Sequence, residues 1–73
     1  MLSFYEALEI AMAEKGMKPS QVCAVAGMHQ SYISKLKSGA MKHVEWDKAV
    51  ALILALGMTP SEFYEIQKSG KYR

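Results

Sequence analysis

The sequence predicts a small all-α domain of five helices. Its 73 residues are rich in Ala, Leu, Met, Glu and Lys, and no stretch shows the alternating polar and apolar pattern of a β-strand. Hydrophobic residues make up 51% of the chain, which is too apolar for disorder, so we expect one folded domain over residues 1–68 and a short tail at 69–73. Four glycines divide the chain into pieces of helical length: Gly16, Gly27, Gly39 and Gly57.

The first helix is predicted over about Ser3 to Lys15. Ser3 can cap its start, with Glu6 as the capping-box partner three residues later. Lys15 and the following glycine end it in the expected order, a cation in the last turn and Gly just beyond. One apolar stripe at helical spacing predicts the face that packs into the core: Phe4, Leu8, Ala11 and Met12.

The second and third helices are short and meet at a glycine. The second is predicted to begin at Pro19, because proline suits the first helical turn, and to end at Gly27, which permits a left-handed turn. The position of Cys23 should require a small, buried residue, because the next helix crosses close to it. The third helix is predicted from His29 or Gln30 to Lys37. The two helices, packed at a steep angle, should share a small core formed by Val22, Met28, Ile33 and Leu36.

The fourth helix, about Glu45 to Leu56, is apolar almost all round and should be the central helix, with Trp46 as a core anchor. The fifth should begin after a Thr59 N-cap, with Glu62 as its partner, and run to about Lys68. Its inward residues are predicted to be Phe63 and Ile66. Four apolar residues exceed what so small a core needs and predict an exposed patch for dimerisation: Met58, Phe63, Tyr64 and Tyr72.

Composition argues against several classes of function. Cys23 is the only cysteine, so a disulfide framework or multi-cysteine zinc site is excluded, and His29 and His43 are too isolated for a metal site. No phosphate loop, paired nucleophile and base, or carboxylate pair suggests an enzyme, a cofactor or a small-molecule substrate. The best apolar run, Ala49 to Met58, covers half of a membrane span, and no signal peptide is evident. We therefore expect a cytoplasmic, non-enzymatic protein.

The stretch from Pro19 to Gly39 resembles the helix-turn-helix of the lambda repressor and Cro (Xre-type) family of phage and bacterial regulators. The run Gly27-Met28-His29-Gln30-Ser31, followed by Ile33, Leu36 and Gly39, carries the resemblance. The run Ala55-Leu56-Gly57-Met58-Thr59-Pro60 is similar to the segment that closes the fourth helix in that family. The likeness covers about residues 4–66 and implies a five-helix, lambda-repressor-like DNA-binding domain.

The resemblance implies a sequence-specific regulator that acts as a homodimer on a palindromic double-stranded DNA operator, with the third helix in the major groove. It places these residues at base edges: His29, Gln30, Ser31, Ser34 and Lys35. It places these along the phosphates: Ser20, Gln21, Tyr32, Lys37, Ser38, Lys42 and His43. Pro19 stands where the family usually has a phosphate-binding Gln, and Gln21 does not occupy the same site, which puts that clamp in doubt.

Plainer interpretations stay open beside this one. The polar residues of the third helix could form an ordinary solvated face, and the fold could serve as an antitoxin or anti-repressor that binds protein, or as a vestigial domain with weak DNA affinity.

The formal charge of +2 says little as a total, but the charge is distributed unevenly along the chain. Residues 1–14 carry −3, residues 15–44 carry +5, residues 45–67 carry −3 and residues 68–73 carry +3. The basic segment coincides with the helix-turn-helix, as orientation on DNA requires.

Overall fold

All regular structure among the described residues, 1–41 and 43–69 of a computed structural model, is helical. The predicted all-α fold is therefore confirmed, with each boundary within two residues of the prediction. The predicted contributions of Lys42 and Tyr72 lie outside the described residues. In chain order the helices are α1 (Phe4–Lys15), α2 (Pro19–Ala26), α3 (Ser31–Ser38), α4 (Trp46–Ala55) and α5 (Pro60–Ser69).

Side-chain caps define two of the helix starts as predicted. At α1 the Ser3 amide donates to Glu6 Oε1 at 3.0 Å, and the Glu6 amide donates to Ser3 Oγ at 3.2 Å. At α5 the Thr59 amide donates to Glu62 Oε1 at 2.9 Å, and the Glu62 amide donates to Thr59 Oγ1 at 3.2 Å. Each reciprocal pair satisfies two backbone donors that a helix start leaves without partners.

The core forms where α1 packs against α5 and α2 packs against α4, with α4 also contacting α5. Phe4 and Phe63 bring their ring centroids to 5.0 Å across the α1–α5 contact. Hydrogen bonds also join the segment before α1 to the end of α5. The Leu2 amide donates to the Gln67 carbonyl at 2.9 Å, and the Leu2 carbonyl accepts from Gln67 Nε2 at 3.0 Å. The largest fully buried side chains come from α1, α2 and α4: Leu8, Leu52, Val22 and Cys23.

The prediction for Trp46 was wrong, and that for the exposed apolar patch was wrong in part. Trp46 is 75% exposed, because it stands in the first turn of α4 with its ring beside a surface groove rather than in the core. Met58 and Phe63 are buried. The Met58 amide bonds back to the Ile53 carbonyl at 3.3 Å, which turns its side chain under α4, and Phe63 stacks on the α1 ring. Among the described residues of the predicted apolar patch, only Tyr64 is exposed.

Candidate nucleic-acid interface

The turn between α2 and α3 is built around Gly27. Its φ of +76° lies in the left-handed region, which glycine enters without steric cost. The Gly27 amide donates to the Ala24 carbonyl at 3.3 Å, and the Met28 amide donates to the Cys23 carbonyl at 2.8 Å. These two bonds form a Schellman motif, which satisfies the last carbonyls of α2 and starts the chain toward α3.

The third helix divides into a buried side and a polar side, as the sequence predicts. Ile33 is its one buried residue, and Leu36 is half-buried but stands outside the main cluster. Gln30 and Ser34, four positions apart, are exposed neighbours on the helix surface, and Lys35 is exposed next to Ser34. A polar face of this kind, held by a small apolar contact behind it, is available to an external partner.

The start of α3 is capped by a histidine, which the sequence did not indicate. His29 Nδ1 lies 3.1 Å from the backbone nitrogen of Ser31 and 2.9 Å from Ser31 Oγ. The Ser31 amide is one of the donors that a helix start leaves unpaired, so His29 supplies its acceptor. Both residues keep their predicted place at the tip of α3, but one ring nitrogen and the serine hydroxyl are engaged with each other.

Tyr32 connects α3 to the start of α4. Its side chain is half-buried, and its hydroxyl oxygen accepts a hydrogen bond from the Glu45 amide at 3.4 Å. The hydroxyl proton is not used in that bond and can still be donated. The predicted phosphate contact from Tyr32 is therefore compatible with its structural role.

The start of α2 presents polar groups around Pro19. Gln21 Oε1 accepts from the Lys18 amide at 2.8 Å, so the side-chain oxygen of Gln21 serves as a cap. Its NH₂ group, which is the part that donates to a phosphate, is not used in this bond. Ser20 is exposed beside it, and Pro19 occupies the first helical position, where its missing N–H costs nothing.

The residues predicted to contact phosphates at the end of α3 and just beyond it differ in whether their polar groups are already hydrogen-bonded within the protein. Lys37 and His43 are exposed. Ser38 is exposed too, but its hydroxyl donates to the Lys35 carbonyl at 3.3 Å and accepts from the Ala40 amide at 3.3 Å. Because its one proton closes the end of α3, Ser38 can donate to a phosphate only by giving up that bond.

One cation of this surface was missed by the sequence analysis. Lys48, on α4, is half-buried and lines a cleft of about 330 Å³ beside the tip of α3. Its Nζ lies 3.4 Å from Glu45 Oε1. Lys48 escaped notice because it belongs to the acidic segment 45–67, and only the packing of α4 brings it to the helix-turn-helix. The cleft is lined by Gly27, Met28, His29, Ser31, Tyr32, Lys35 and Lys48.

The buried cysteine behind this surface has the structural role that the sequence predicts. Cys23 is 1% exposed within the core. Burial raises the pKa of its thiol, and a hydrogen bond from the Ile33 backbone offsets part of that rise. A thiol with a raised pKa and no access to solvent is inert, so Cys23 fills space between α2 and α3.

Two further observations concern metal binding and membrane spanning by the described residues. Within residues 1–41 and 43–69, no group of three or more His, Cys, Asp and Glu side chains could hold a metal ion. No single described helix is long and apolar enough to cross a membrane; α4 and α5 meet that condition only as a pair, which is bent by 97°.

The fold and this surface define a helix-turn-helix DNA-binding domain. Comparison with protein-family models supports this class, because residues 7–69 match the Cro/C1-type HTH DNA-binding domain. The chain belongs to the Cro/C1-type helix-turn-helix family, and it is a DNA-binding regulator. Neither the curated proteins nor the solved structures compared with the chain gave a significant match.

Proposed function

We propose that the chain is a sequence-specific transcriptional regulator that lays α3 in the major groove of double-stranded DNA. The observation that carries the proposal is the exposed polar face of α3, formed by Gln30, Ser34 and Lys35 beside the buried Ile33. The Gln30 amide can bond an adenine through two atoms, Ser34 can serve either kind of base edge, and Lys35 can reach a guanine or a phosphate. His29 and Ser31 complete this base-reading set.

The phosphate contacts would flank that face on two sides. Lys37, in the last turn of α3, and His43, after it, are exposed, and Lys42 adds a third cationic or polar side chain in sequence. At the start of α2, Ser20 and the free NH₂ of Gln21 are available, and Tyr32 keeps a hydroxyl proton to donate. Segment 15–44, which holds all of these, carries +5 and would supply the attraction to the DNA backbone.

Selection of bound duplexes from a random pool tests this function directly. Recovery of one sequence motif is expected, and recovery of random sequence would contradict it. Two variants then separate reading from positioning. Gln30→Ala should flatten the preference at one position, whereas Lys37→Ala should weaken binding to every sequence about equally. Equal effects from the two variants would contradict the assigned roles.

We further propose that the regulator is a homodimer that represses by occupying a palindromic operator. Support comes from an apolar groove of about 620 Å³ between the start of α4 and the outer face of α5. Trp46 and Tyr64 line it and are 75% and 48% exposed. A second copy packed there would cover both rings and could set two recognition helices about 34 Å apart, one turn of DNA.

Sedimentation at micromolar concentration tests the dimer. Trp46→Lys should shift the chain to monomer, because it places a charge in the groove. Leu54→Lys is the matched control, since Leu54 is 58% exposed on the same helix but does not line the groove. If about three cations per subunit contact phosphate, the log–log salt slope of dimer binding should be near −5. A chain that binds no duplex at any salt would favour the antitoxin or anti-repressor alternative.

A further inference from the structure

The contact between His29 and Ser31 fixes where the protons of both side chains lie. A backbone amide can only donate, and the Ser31 amide points at His29 Nδ1 from 3.1 Å. Nδ1 must therefore carry a lone pair, and in the neutral ring the proton resides on Nε2. This tautomer follows from the bonding partners alone.

The same reasoning fixes the serine hydroxyl. Ser31 Oγ lies 2.9 Å from the same Nδ1, which has no proton to give and whose single lone pair is shared with the Ser31 amide. Hydrogen bonding between the two atoms then requires the hydroxyl proton to point at the ring. The proton of Ser31 is engaged inside the protein, and the hydroxyl oxygen offers only lone pairs to anything outside.

We infer that His29 sets the base preference of Ser31 by taking its proton. The inference rests on the proposed function, in which the tip of α3 faces base edges. A free serine hydroxyl can donate or accept and so distinguishes bases poorly. With its proton held by His29, Ser31 accepts only, and it selects a base with an exocyclic amine in the major groove, adenine or cytosine, over guanine or thymine.

His29 itself is left with the complementary chemistry. Its Nε2 carries the outward proton, so it can donate to a purine N7, a guanine O6 or a thymine O4. The tip of α3 thus presents a fixed donor at His29 beside a fixed acceptor at Ser31. We expect the operator to offer an acceptor and an amine in adjoining positions under these two residues.

The first test concerns the free protein and needs no DNA. Long-range proton–nitrogen NMR distinguishes the two neutral tautomers of histidine, and a His43→Gln variant assigns the two rings. The Nε2-protonated tautomer of His29 at neutral pH is expected. A ring protonated on Nδ1 would overturn the inference, whatever the chain does with DNA.

The second test compares base preferences by duplex selection. His29→Asn keeps an acceptor for the Ser31 amide and hydroxyl, because an Asn side-chain oxygen caps helices well, whereas His29→Ala removes the acceptor. The wild type and His29→Asn should share the preference for adenine or cytosine under Ser31. His29→Ala should relax it by about fivefold, the worth of one net hydrogen bond. Ser31→Ala should remove the preference with His29 in place.

The outcomes separate this inference from the function on which it rests. A recovered motif whose adenine or cytosine preference is unchanged in His29→Ala overturns the role of His29 alone. A wild-type chain that selects no motif overturns the proposed function and the base preference together, and the tautomer experiment still decides the proton arrangement. Circular dichroism of each variant checks that α3 is retained, so a loss of preference is not a loss of fold.

Discussion

The turn between α2 and α3 offers a sharp test, because the cost of replacing Gly27 by alanine can be worked out from its surroundings. A Cβ built on Gly27 meets nothing within 4 Å, so no steric clash contributes. The whole cost is the left-handed backbone at φ +76°, about 1–2 kcal/mol for a residue with a side chain. Alanine also lowers the conformational entropy of the unfolded chain, which offsets about 0.4–1 kcal/mol of that cost. The net loss of unfolding free energy should be about 1 kcal/mol.

Urea denaturation followed by circular dichroism measures this loss, and Gly16→Ala is the matched control. Gly16 has φ +65°, equally open space, and the same pair of closing bonds, from its own amide to Ala13 and from Met17 to Met12. The two variants should therefore lose similar stability, each lowering the melting temperature by about 4–8 °C. Gly27→Asn should lose less, because Asn tolerates this region.

Two results would refute this reasoning. A loss above about 3 kcal/mol for Gly27→Ala, with Gly16→Ala near 1, would mean that the turn is packed more tightly than its geometry indicates. No loss in either variant would mean that the left-handed backbone at these positions is not retained. Below the melting transition, duplex affinity of Gly27→Ala should match that of the wild type, since no side chain of the DNA-facing surface changes.

Three further predictions concern a thiol, the helix caps and an acidic neighbour of the interface. Because burial raises the pKa of Cys23 above its ordinary value of 9.0, the folded state holds that proton more tightly, and unfolding free energy should fall as pH rises past 9.0. Urea titrations should show this slope in the wild type and a smaller one in Cys23→Ala. Ser3→Ala and Thr59→Ala should each cost about 1 kcal/mol in the same assay, and a loss below about 0.3 would contradict the capping boxes. Glu45→Gln should raise duplex affinity about twofold at low salt, because it removes a negative charge beside the proposed interface and releases Lys48 Nζ, which lies 3.4 Å from Glu45 Oε1. Repulsion between two unit charges about 8 Å apart in water is near 0.5 kcal/mol. Glu9→Gln is the control for Glu45→Gln in fluorescence anisotropy and should change nothing, since Glu9 is exposed on α1 and does not line the proposed dimer groove.

The helix boundaries could be predicted because the interactions that set them span only a few residues. Ser3 with Glu6 and Thr59 with Glu62 are three residues apart, and both pairs form as predicted. Gly27 acts through its own backbone angles and through bonds to residues just before it. Such signals need no knowledge of how distant parts of the chain meet.

What the sequence did not reveal depends on how helices cross. A helix that is apolar almost all round does not indicate which side faces solvent, so Trp46 was assigned to the core although the crossing of α4 and α5 leaves it outside. Phe63 was predicted both as an inward residue of α5 and as part of the exposed patch; it is buried because α1 brings Phe4 to it, 59 positions away in the sequence. Lys48 was counted with an acidic segment because charge along the chain does not show which helix faces α3. His29 as a cap carried little signal, since histidine is not among the favoured capping residues.

The helix α3 has few apolar contacts with the core, and this limits which residues of the proposed DNA-reading set can be substituted. Ile33 is its one buried side chain, and the half-buried Tyr32 packs against the core beside it. Its position depends on polar contacts at its start, where His29 caps the Ser31 amide and the Tyr32 hydroxyl holds the Glu45 amide. Two of these residues, His29 and Ser31, also belong to the proposed base-reading set. A substitution at His29 or Ser31 must therefore satisfy the helix start and the DNA together, whereas Gln30, exposed and without a folding role, is free to change operator preference alone. We expect altered specificity to be reached first through Gln30, and through His29 only by residues that also accept a hydrogen bond.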